Sequence, residues 1–214
     1  MKLWLDALLV LLILTNLKLI SSSRLSACIR VVAMQGILLS LVPLLVGAGH
    51  LSLRMVLLSA LTMTVKGMVF PWLLLKVLRT ASGSREIEPF VGFTTSLLVG
   101  VGLLTASFWM GRQLPLPVPS QSSLVVPLAL FNTMMGLFAI ISRRKALSQV
   151  LGYLVMENGI YAFGLAFALE EPLLVELGTL LDVFVAVFIM GIMVFHINRE
   201  LDHTDTDRLS ILKD

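Results

Sequence analysis

Charged residues are scarce in this chain of 214 residues, whereas hydrophobic residues are abundant. Only 14% of the residues are charged and 57% are hydrophobic, which gives a mean hydropathy of +0.97. A chain with so few charges cannot present a polar surface on all sides, so a water-soluble globular protein is excluded. The composition therefore predicts an integral membrane protein.

Cysteine and metal-binding patterns are equally sparse. The single cysteine, Cys28, excludes an internal disulfide, and no CxxC or paired-histidine arrangement offers a metal or haem site. His50 and His196 are predicted to lie near opposite membrane faces, so they cannot bind one haem together. We therefore expect no cofactor, no metal and no catalytic residue in this chain.

Long apolar runs divide the chain into predicted membrane spans. A bilayer core about 30 Å thick needs about 20 apolar residues per helix. The predicted fold class is all-α with seven transmembrane helices, over residues 3–20, 27–47, 54–78, 90–110, 122–142, 148–168 and 173–196.

The fourth connection carries Pro115, Pro117 and Pro119. Because proline resists helix formation, we predict an extended linker there. The chain is accordingly divided into four N-terminal helices in residues 1–111, a proline-rich periplasmic linker in 112–123, a three-helix module in 124–197 and a cytoplasmic tail in 198–214.

Lysine and arginine are distributed unequally between the two predicted membrane sides. Cytoplasmic loops accumulate these residues, so the N-terminus is predicted outside and the C-terminus in the cytoplasm. This orientation leaves only Lys2, Arg54 and Arg112 on the outer side. The inner side collects Lys18, Arg24, Arg30, Lys76, Arg79, Arg85, Arg143, Arg144, Lys145, Arg199, Arg208 and Lys213. The same asymmetry accounts for the net charge of +3, so no nucleic-acid partner is expected.

Glu157 lies near the middle of the predicted sixth span. A charged carboxylate is costly in hydrocarbon, so an acid at this depth is a candidate functional group. Asn158 and Tyr161 add hydrogen-bonding groups, and Tyr161 shares a helix face with the acid. Because desolvation disfavours the charged form, Glu157 is suited to loading and releasing a proton. The alternative is a permanently protonated acid that only hydrogen-bonds a neighbouring helix.

Two further acids occur in the predicted seventh span. Asp182 lies near its middle, whereas Glu176 lies nearer its outer end. The two are about 9 Å apart along a helix axis and do not share a face, so a relay through both needs water or a neighbouring helix between them. For Glu176, a solvated carboxylate at a helix end is the better interpretation.

Lys66 lies mid-way along the predicted third span, five residues before Pro71. Proline removes one backbone donor and clashes with the carbonyl of Gly67, so a kink is predicted beside the lysine. The alternative is that the long side chain carries its charge to the membrane interface. We expect Lys66, Glu157 and Asp182 to form a mid-membrane chain of protonatable groups.

Several of these segments together resemble the hydrogenase-4 component E family. The resemblance is most specific in the segment from Gln149 to Gly159, which ends in Met-Glu-Asn-Gly, and in the later segment that leads to Asp182. Lys66 with Pro71 and the basic loop after Ser142 also fit this family. The last three helices are similar to the small K-type subunit of complex I and to the C-type subunit of cation/proton antiporters.

The resemblance implies a membrane-arm subunit of a group 4 membrane-bound hydrogenase, a complex related to respiratory complex I, in the bacterial inner membrane. The implied partners are antiporter-like and other membrane-arm subunits, with the nickel-iron centre and iron–sulfur clusters in partner subunits. Two membrane glutamates mark the proton axis of the K-type subunit. By this resemblance, Asp182 stands where the second glutamate is expected, and Glu157 is displaced by about one turn from the first.

Two other functions fit the same residues. The chain could be a structural subunit that lets the core of a complex assemble, with its buried charges serving only interhelical bonding. It could instead belong to a cation/proton antiporter without any hydrogenase. The residues alone leave these alternatives open, as they leave open whether protons or sodium ions pass.

Overall fold

A computed structural model describes residues 2–46, 53–80, 87, 90–114, 123–167 and 191 of the chain. All regular elements in this part are helical. They are α1 (Lys2–Ser21), α2 (Leu25–Val46), α3 (Leu53–Thr64), a π-helical turn (Val65–Val69), α4 (Phe70–Thr80), α5 (Phe93–Gln113), α6 (Val125–Ser142) and α7 (Ala146–Phe167). Helices therefore cover most of the described residues of the first six predicted spans, although α5 begins at Phe93 rather than at residue 90 and α6 begins at Val125 rather than at residue 122. Apart from Gly191, the predicted seventh span, with Glu176 and Asp182, and the tail lie outside the described residues, as do residues 115–122 of the predicted linker.

Five helices of the described part are both long and apolar enough to cross a membrane. They cover Leu3–Ser21, Leu25–Leu45, Ser59–Arg79, Phe93–Gln113 and Val125–Ser142. The helix α7 is 22 residues long, which corresponds to about 33 Å and suffices for a span. Large apolar side chains such as Leu14, Trp72, Trp109 and Ile141 remain exposed on the helix surfaces. Exposed apolar surface of this kind is expected where helices face lipid.

Glycines allow α6 and α7 to pack closely along most of their length. A Cβ atom at Gly136 would collide with the backbone of Met156, and one at Gly152 would lie 2.8 Å from the backbone nitrogen of Ile140. Gly159 lies against Thr133 in the same way. Small residues let helix backbones approach in membranes, where packing rather than the hydrophobic effect holds helices together. This contact fixes the position of α7, which carries Glu157.

Three connections meet at one end of the helix bundle. Arg143 Nη2 donates to the carbonyl of Ile20 at 2.9 Å. The Phe90 amide donates to the carbonyl of Ser142, and the Ile87 amide donates to the carbonyl of Ser23, both at 2.8 Å. The α1–α2 connection, the segment before α5 and the α6–α7 connection therefore lie together. We call this end of the bundle the basic end, because it contains Lys18, Arg24, Arg143, Arg144 and Lys145.

Arg143 is buried at the basic end, with 3% of its surface exposed. Its guanidinium lies 5.4 Å from the ring centroid of Phe93, and it caps the last turn of α1 through the Ile20 carbonyl. Burial lowers the pKa of Arg143 from its ordinary value, but a guanidinium keeps its charge in proteins. The concentration of basic residues agrees with a basic end on the cytoplasmic side of the membrane. The orientation across the membrane stays a prediction.

Candidate functional site

Lys66 and Glu157 form an ion pair inside the helix bundle. The Lys66 ammonium nitrogen lies 2.7 Å from Glu157 Oε1, and the two side chains are only 4% and 2% exposed. Lys66 belongs to the π-helical turn between α3 and α4, and Glu157 belongs to α7. The structure thus joins two charged groups that the sequence placed in different spans, and Lys66 does not extend to the membrane interface.

Two further predicted site residues surround the Lys66 ammonium group. Its nitrogen donates to Asn158 Oδ1 at 3.3 Å, and it lies 5.1 Å from the centroid of the Tyr161 ring. A cation over an aromatic face is stabilised by the ring quadrupole, more strongly where water is excluded. Tyr161 therefore faces Lys66, and α7 supplies an acid, an amide and a ring to the same cation.

The backbone around Lys66 is a π-helical turn that ends at Val69, two residues before Pro71. The Phe70 amide bonds to the carbonyl of Val65, so the hydrogen bond spans five residues instead of four. The sequence predicted a kink here because proline lacks an amide hydrogen, and the irregularity takes the form of this widened turn. Single π turns inside α-helices occur often at functional sites.

One glycine of α2 and one glycine of the π-helical turn bring these two elements into close contact. A Cβ atom at Gly36 would lie 2.6 Å from Lys66 Cβ, and one at Gly67 would lie 2.8 Å from Ile37 Cγ1. Larger residues at these two positions would hold the turn away from α2. The close approach leaves the Lys66 side chain directed toward α7.

A small cavity adjoins the ion pair. It has a volume of about 10 Å³ and is lined by Lys66 and Asn158 together with the apolar side chains of Ile29, Val32, Phe70, Pro71, Leu74 and Leu154. A space of this size holds about one water molecule. Since α2 and α7 both start at the basic end, Ile29, Val32 and Leu154 place the cavity on that side of Lys66.

The energetics of a buried ion pair make a purely stabilising role a weak explanation. Removing each ion from water costs several kcal/mol, and the mutual attraction often only balances this cost. Hydrophobic residues of similar volume would pack such a position without penalty. A charged pair at membrane depth is therefore a candidate for moving an ion or a proton.

Sequence reasoning missed one polar group in the described part, which we call the amide cluster. It consists of Asn16, Gln35 and Asn132 with Thr15, from α1, α2 and α6. All four members are uncharged, so no charge pattern marked them. The available signal was the occurrence of a carboxamide within each of three apolar runs.

The remaining predicted site residues, Glu176 and Asp182, lie outside the described residues. In the part that the structure describes, no three His, Cys, Asp or Glu side chains lie together in a way that could hold a metal ion. The described site consists of the Lys66–Glu157 ion pair with an amide, a ring and a water-sized cavity beside it.

Comparison with known proteins adds a family match over the C-terminal part. Residues 124–214 match the family described as NADH-ubiquinone/plastoquinone oxidoreductase chain 4L, which is the family of the K-type subunit of complex I. The predicted similarity of this part to the K-type subunit is thus confirmed. The match includes Glu157 and Asn158, whereas Lys66 and the helices α1 to α5 precede it.

Two kinds of relatives are similar to this chain over longer or central stretches. The uncharacterized protein Rv0085 of Mycobacterium tuberculosis is 31% identical over 204 residues, which cover 95% of this chain and 93% of that protein. Hydrogenase-4 component E of Escherichia coli (strain K12) is 31% identical over 118 residues, or 55% of this chain and 54% of that protein. The same values hold for hydrogenase-4 component E of Shigella flexneri. The match thus spans about half of the length of hydrogenase-4 component E. No solved structure matches the chain significantly.

Proposed function

This chain belongs to the same family as Rv0085 and is a membrane protein similar to hydrogenase-4 component E, and from that premise we propose that it is a non-catalytic subunit of a complex I-related, membrane-bound hydrogenase. In this proposal it contributes Lys66 and Glu157 to a proton pathway in the membrane arm. Its partners are antiporter-like and other membrane-arm subunits in a bacterial inner membrane. The nickel-iron centre and iron–sulfur clusters belong to partners, since this chain has one cysteine and such clusters need several.

The observation that carries the proposal is the contact between Lys66 Nζ and Glu157 Oε1 at 2.7 Å inside the bundle. Transfer of one proton along this contact breaks an N–H bond and forms an O–H bond, which turns the ion pair into a neutral amine and a carboxylic acid. Neither state leaves an isolated charge in the low-dielectric interior. A proton can therefore move between the two groups without the main cost of carrying charge through a membrane.

The neighbouring groups suit such a transfer. Asn158 and the Tyr161 ring hold the lysine in place while it is charged, and the adjoining cavity has room for a water that brings or removes a proton. Apolar side chains line the rest of this cavity, so bulk water is kept away from the pair. A change in a partner subunit that alters the hydration of this cavity would shift the protonation of the pair.

The acids of the predicted seventh span extend the proposed pathway beyond the described residues. Asp182, and with it Glu176, would receive the proton from the Lys66–Glu157 pair or deliver it there. The resemblance of the last three helices to the K-type subunit supports placing Asp182 next to the Lys66–Glu157 pair in this pathway. Asp182 then serves as the next protonatable group along the pathway.

The test uses the whole complex in membrane vesicles and measures hydrogenase activity and proton translocation separately. Glu157→Gln, Lys66→Met and Asp182→Asn should lower the number of protons moved per hydrogen turned over, by about tenfold or more where the group is essential. Lys76→Met is the matched control, because Lys76 is an exposed lysine on α4 that faces Trp72. Its translocation should equal that of the parent complex.

Unchanged translocation per turnover in all three variants would overturn the pathway. If the variants instead lower the amount of assembled complex and leave its coupling intact, the chain is a structural subunit. Transport that depends on sodium, in a complex without a nickel-iron subunit, would assign the chain to a cation/proton antiporter.

A further inference from the structure

Three carboxamide side chains meet in the interior of the bundle, away from the ion pair. Asn16 of α1 and Gln35 of α2 are fully buried, Asn132 of α6 is 1% exposed, and Thr15 next to them is 3% exposed. These residues form the amide cluster defined above. No charge lies in it, and the proposed proton pathway does not use it.

The hydrogen bonds of the amide cluster run in one direction. Gln35 Nε2 donates to Thr15 Oγ1 at 3.0 Å and to Asn16 Oδ1 at 2.8 Å. Asn16 Nδ2 then donates to Asn132 Oδ1, and Thr15 Oγ1 donates to the Leu12 carbonyl at 2.7 Å. Reversing one end amide alone would bring two donors or two oxygens together. Since Thr15 Oγ1 donates to the Leu12 carbonyl, it needs a donor from Gln35, so this orientation satisfies all of the shared contacts.

Two polar atoms remain at the ends of this chain of bonds. Gln35 Oε1, an acceptor, and Asn132 Nδ2, a donor, are both buried and have no hydrogen-bond partner in the structure. An amide group without a partner in an apolar environment costs several kcal/mol, and lipid cannot supply the missing bond. Buried polar atoms in native proteins therefore bind ordered water or another ligand when no side chain reaches them.

We propose that the amide cluster binds water at each of its two ends, where water donates to Gln35 Oε1 and accepts from Asn132 Nδ2. Water fits both ends, because Gln35 Oε1 needs a donor and Asn132 Nδ2 needs an acceptor, and water can act as either. A sodium ion would need several free oxygen ligands. Thr15 Oγ1, Asn16 Oδ1 and Asn132 Oδ1 already accept N–H donors, and the Asn132 amino group would repel a cation.

The amide cluster lies at the same level of the bundle as the ion pair. Gln35 precedes Gly36, which lies against Lys66, and Asn132 precedes Thr133, which lies against Gly159 beside Asn158. Hydration of the cluster would therefore place water at a second position at this level of the bundle, between α1, α2 and α6. The inference does not depend on the proposed proton pathway, since it follows from the hydrogen bonds of the cluster alone.

Water-edited solid-state NMR of the full chain in lipid bilayers tests the proposal. Magnetisation from water should reach the side-chain amino groups of Asn132 and Gln35 several-fold faster than the backbone amides of Leu128 and Phe131, which are fully buried in α6. Asn132→Asp assigns the Asn132 signal, because this substitution removes the amino group and keeps the oxygen that accepts from Asn16. Transfer to the side chains as slow as transfer to Leu128 would overturn the proposal.

A second measurement does not depend on any variant. An experimental density map that shows ordered water should contain a peak within hydrogen-bond distance of Gln35 Oε1 and a peak within hydrogen-bond distance of Asn132 Nδ2. These peaks should persist when potassium replaces sodium. A peak that appears only in sodium would indicate a cation and overturn the assignment. A map with other buried waters but no peak at the cluster would also overturn it.

Discussion

Gly36 in α2 lies so close to Lys66 that a Cβ atom at position 36 would sit 2.6 Å from Lys66 Cβ and 3.1 Å from its carbonyl carbon. Neither atom is at the flexible end of a side chain, so neither can move aside alone. A methyl group there would push the π-helical turn away from α2. The position of the Lys66 ammonium relative to Glu157 therefore depends on the absence of a side chain at Gly36.

We predict that Gly36→Ala lowers the free energy of unfolding by about 1–3 kcal/mol, as overpacking of a tight contact does. Thermal unfolding in a mild detergent measures the effect. Gly102→Ala is the matched control, since a Cβ atom at Gly102 on α5 meets nothing within 4 Å and alanine favours helix by about 1 kcal/mol. Equal unfolding temperatures for both variants would contradict the close approach of the π-helical turn to α2.

The Lys66–Glu157 pair predicts strong coupling between two substitutions. Lys66→Met alone or Glu157→Gln alone should lower the free energy of unfolding by about 3–5 kcal/mol. Lys66→Met would leave a buried carboxylate without its cation, and Glu157→Gln would leave a buried ammonium without its anion. The double variant should recover much of the loss, since neither charge remains. Unfolding free energies of the four proteins give the coupling energy directly.

A recovery smaller than about 0.5 kcal/mol in that cycle would mean that the two residues act independently. A second check uses the reversed pair, with Lys66→Glu and Glu157→Lys together. Reversal keeps both charges but exchanges the lysine and the shorter glutamate, so the contacts of the ammonium with Asn158 and Tyr161 would be lost. We expect the reversed pair to be less stable than the neutral double variant.

Arg143 and Arg144 are neighbours with different surroundings, which yields a third prediction. Arg143→Gln removes a hydrogen bond to Ile20 and a contact with the Phe93 ring from a buried site, so it should cost about 1.5–3 kcal/mol. Arg144 is exposed and lies 4.6 Å from the Phe90 ring centroid. Its replacement by Gln should cost at most about 1 kcal/mol. Similar losses in both variants would contradict the joining of the three connections at the basic end.

The helices could be predicted from the sequence because the membrane itself sets their length and composition. Long apolar runs such as residues 3–20 and 148–168 coincide with α1 and α7 to within two residues. The protonatable residues Lys66 and Glu157 were also found from the sequence, since a charge in an apolar run is a clear signal. Both features depend only on local composition.

The pairing of these residues could not be predicted, because it depends on how the helices pack. Lys66 meets Glu157 only because Gly36 admits the π-helical turn and because Gly136 and Gly159 fix α7 against α6. Glycine carries no chemical signal of its own, and the sequence does not reveal which helix faces it. The amide cluster was missed for a related reason, since Asn16, Gln35 and Asn132 become informative only when three helices bring them together.

The cavity beside Lys66 gives the last prediction, which separates hydration from the charges themselves. Val32 is 6% exposed and lines this cavity, so Val32→Ile adds a methylene where one water fits. We expect proton translocation to slow several-fold while the unfolding free energy changes by less than about 1.5 kcal/mol, because the added group fills existing space. Val101→Ile on the exposed face of α5 is the matched control and should leave translocation unchanged. If Val32→Ile destabilises the protein but leaves translocation intact, the water of this cavity takes no part in transfer and the proton must reach Lys66 from another side.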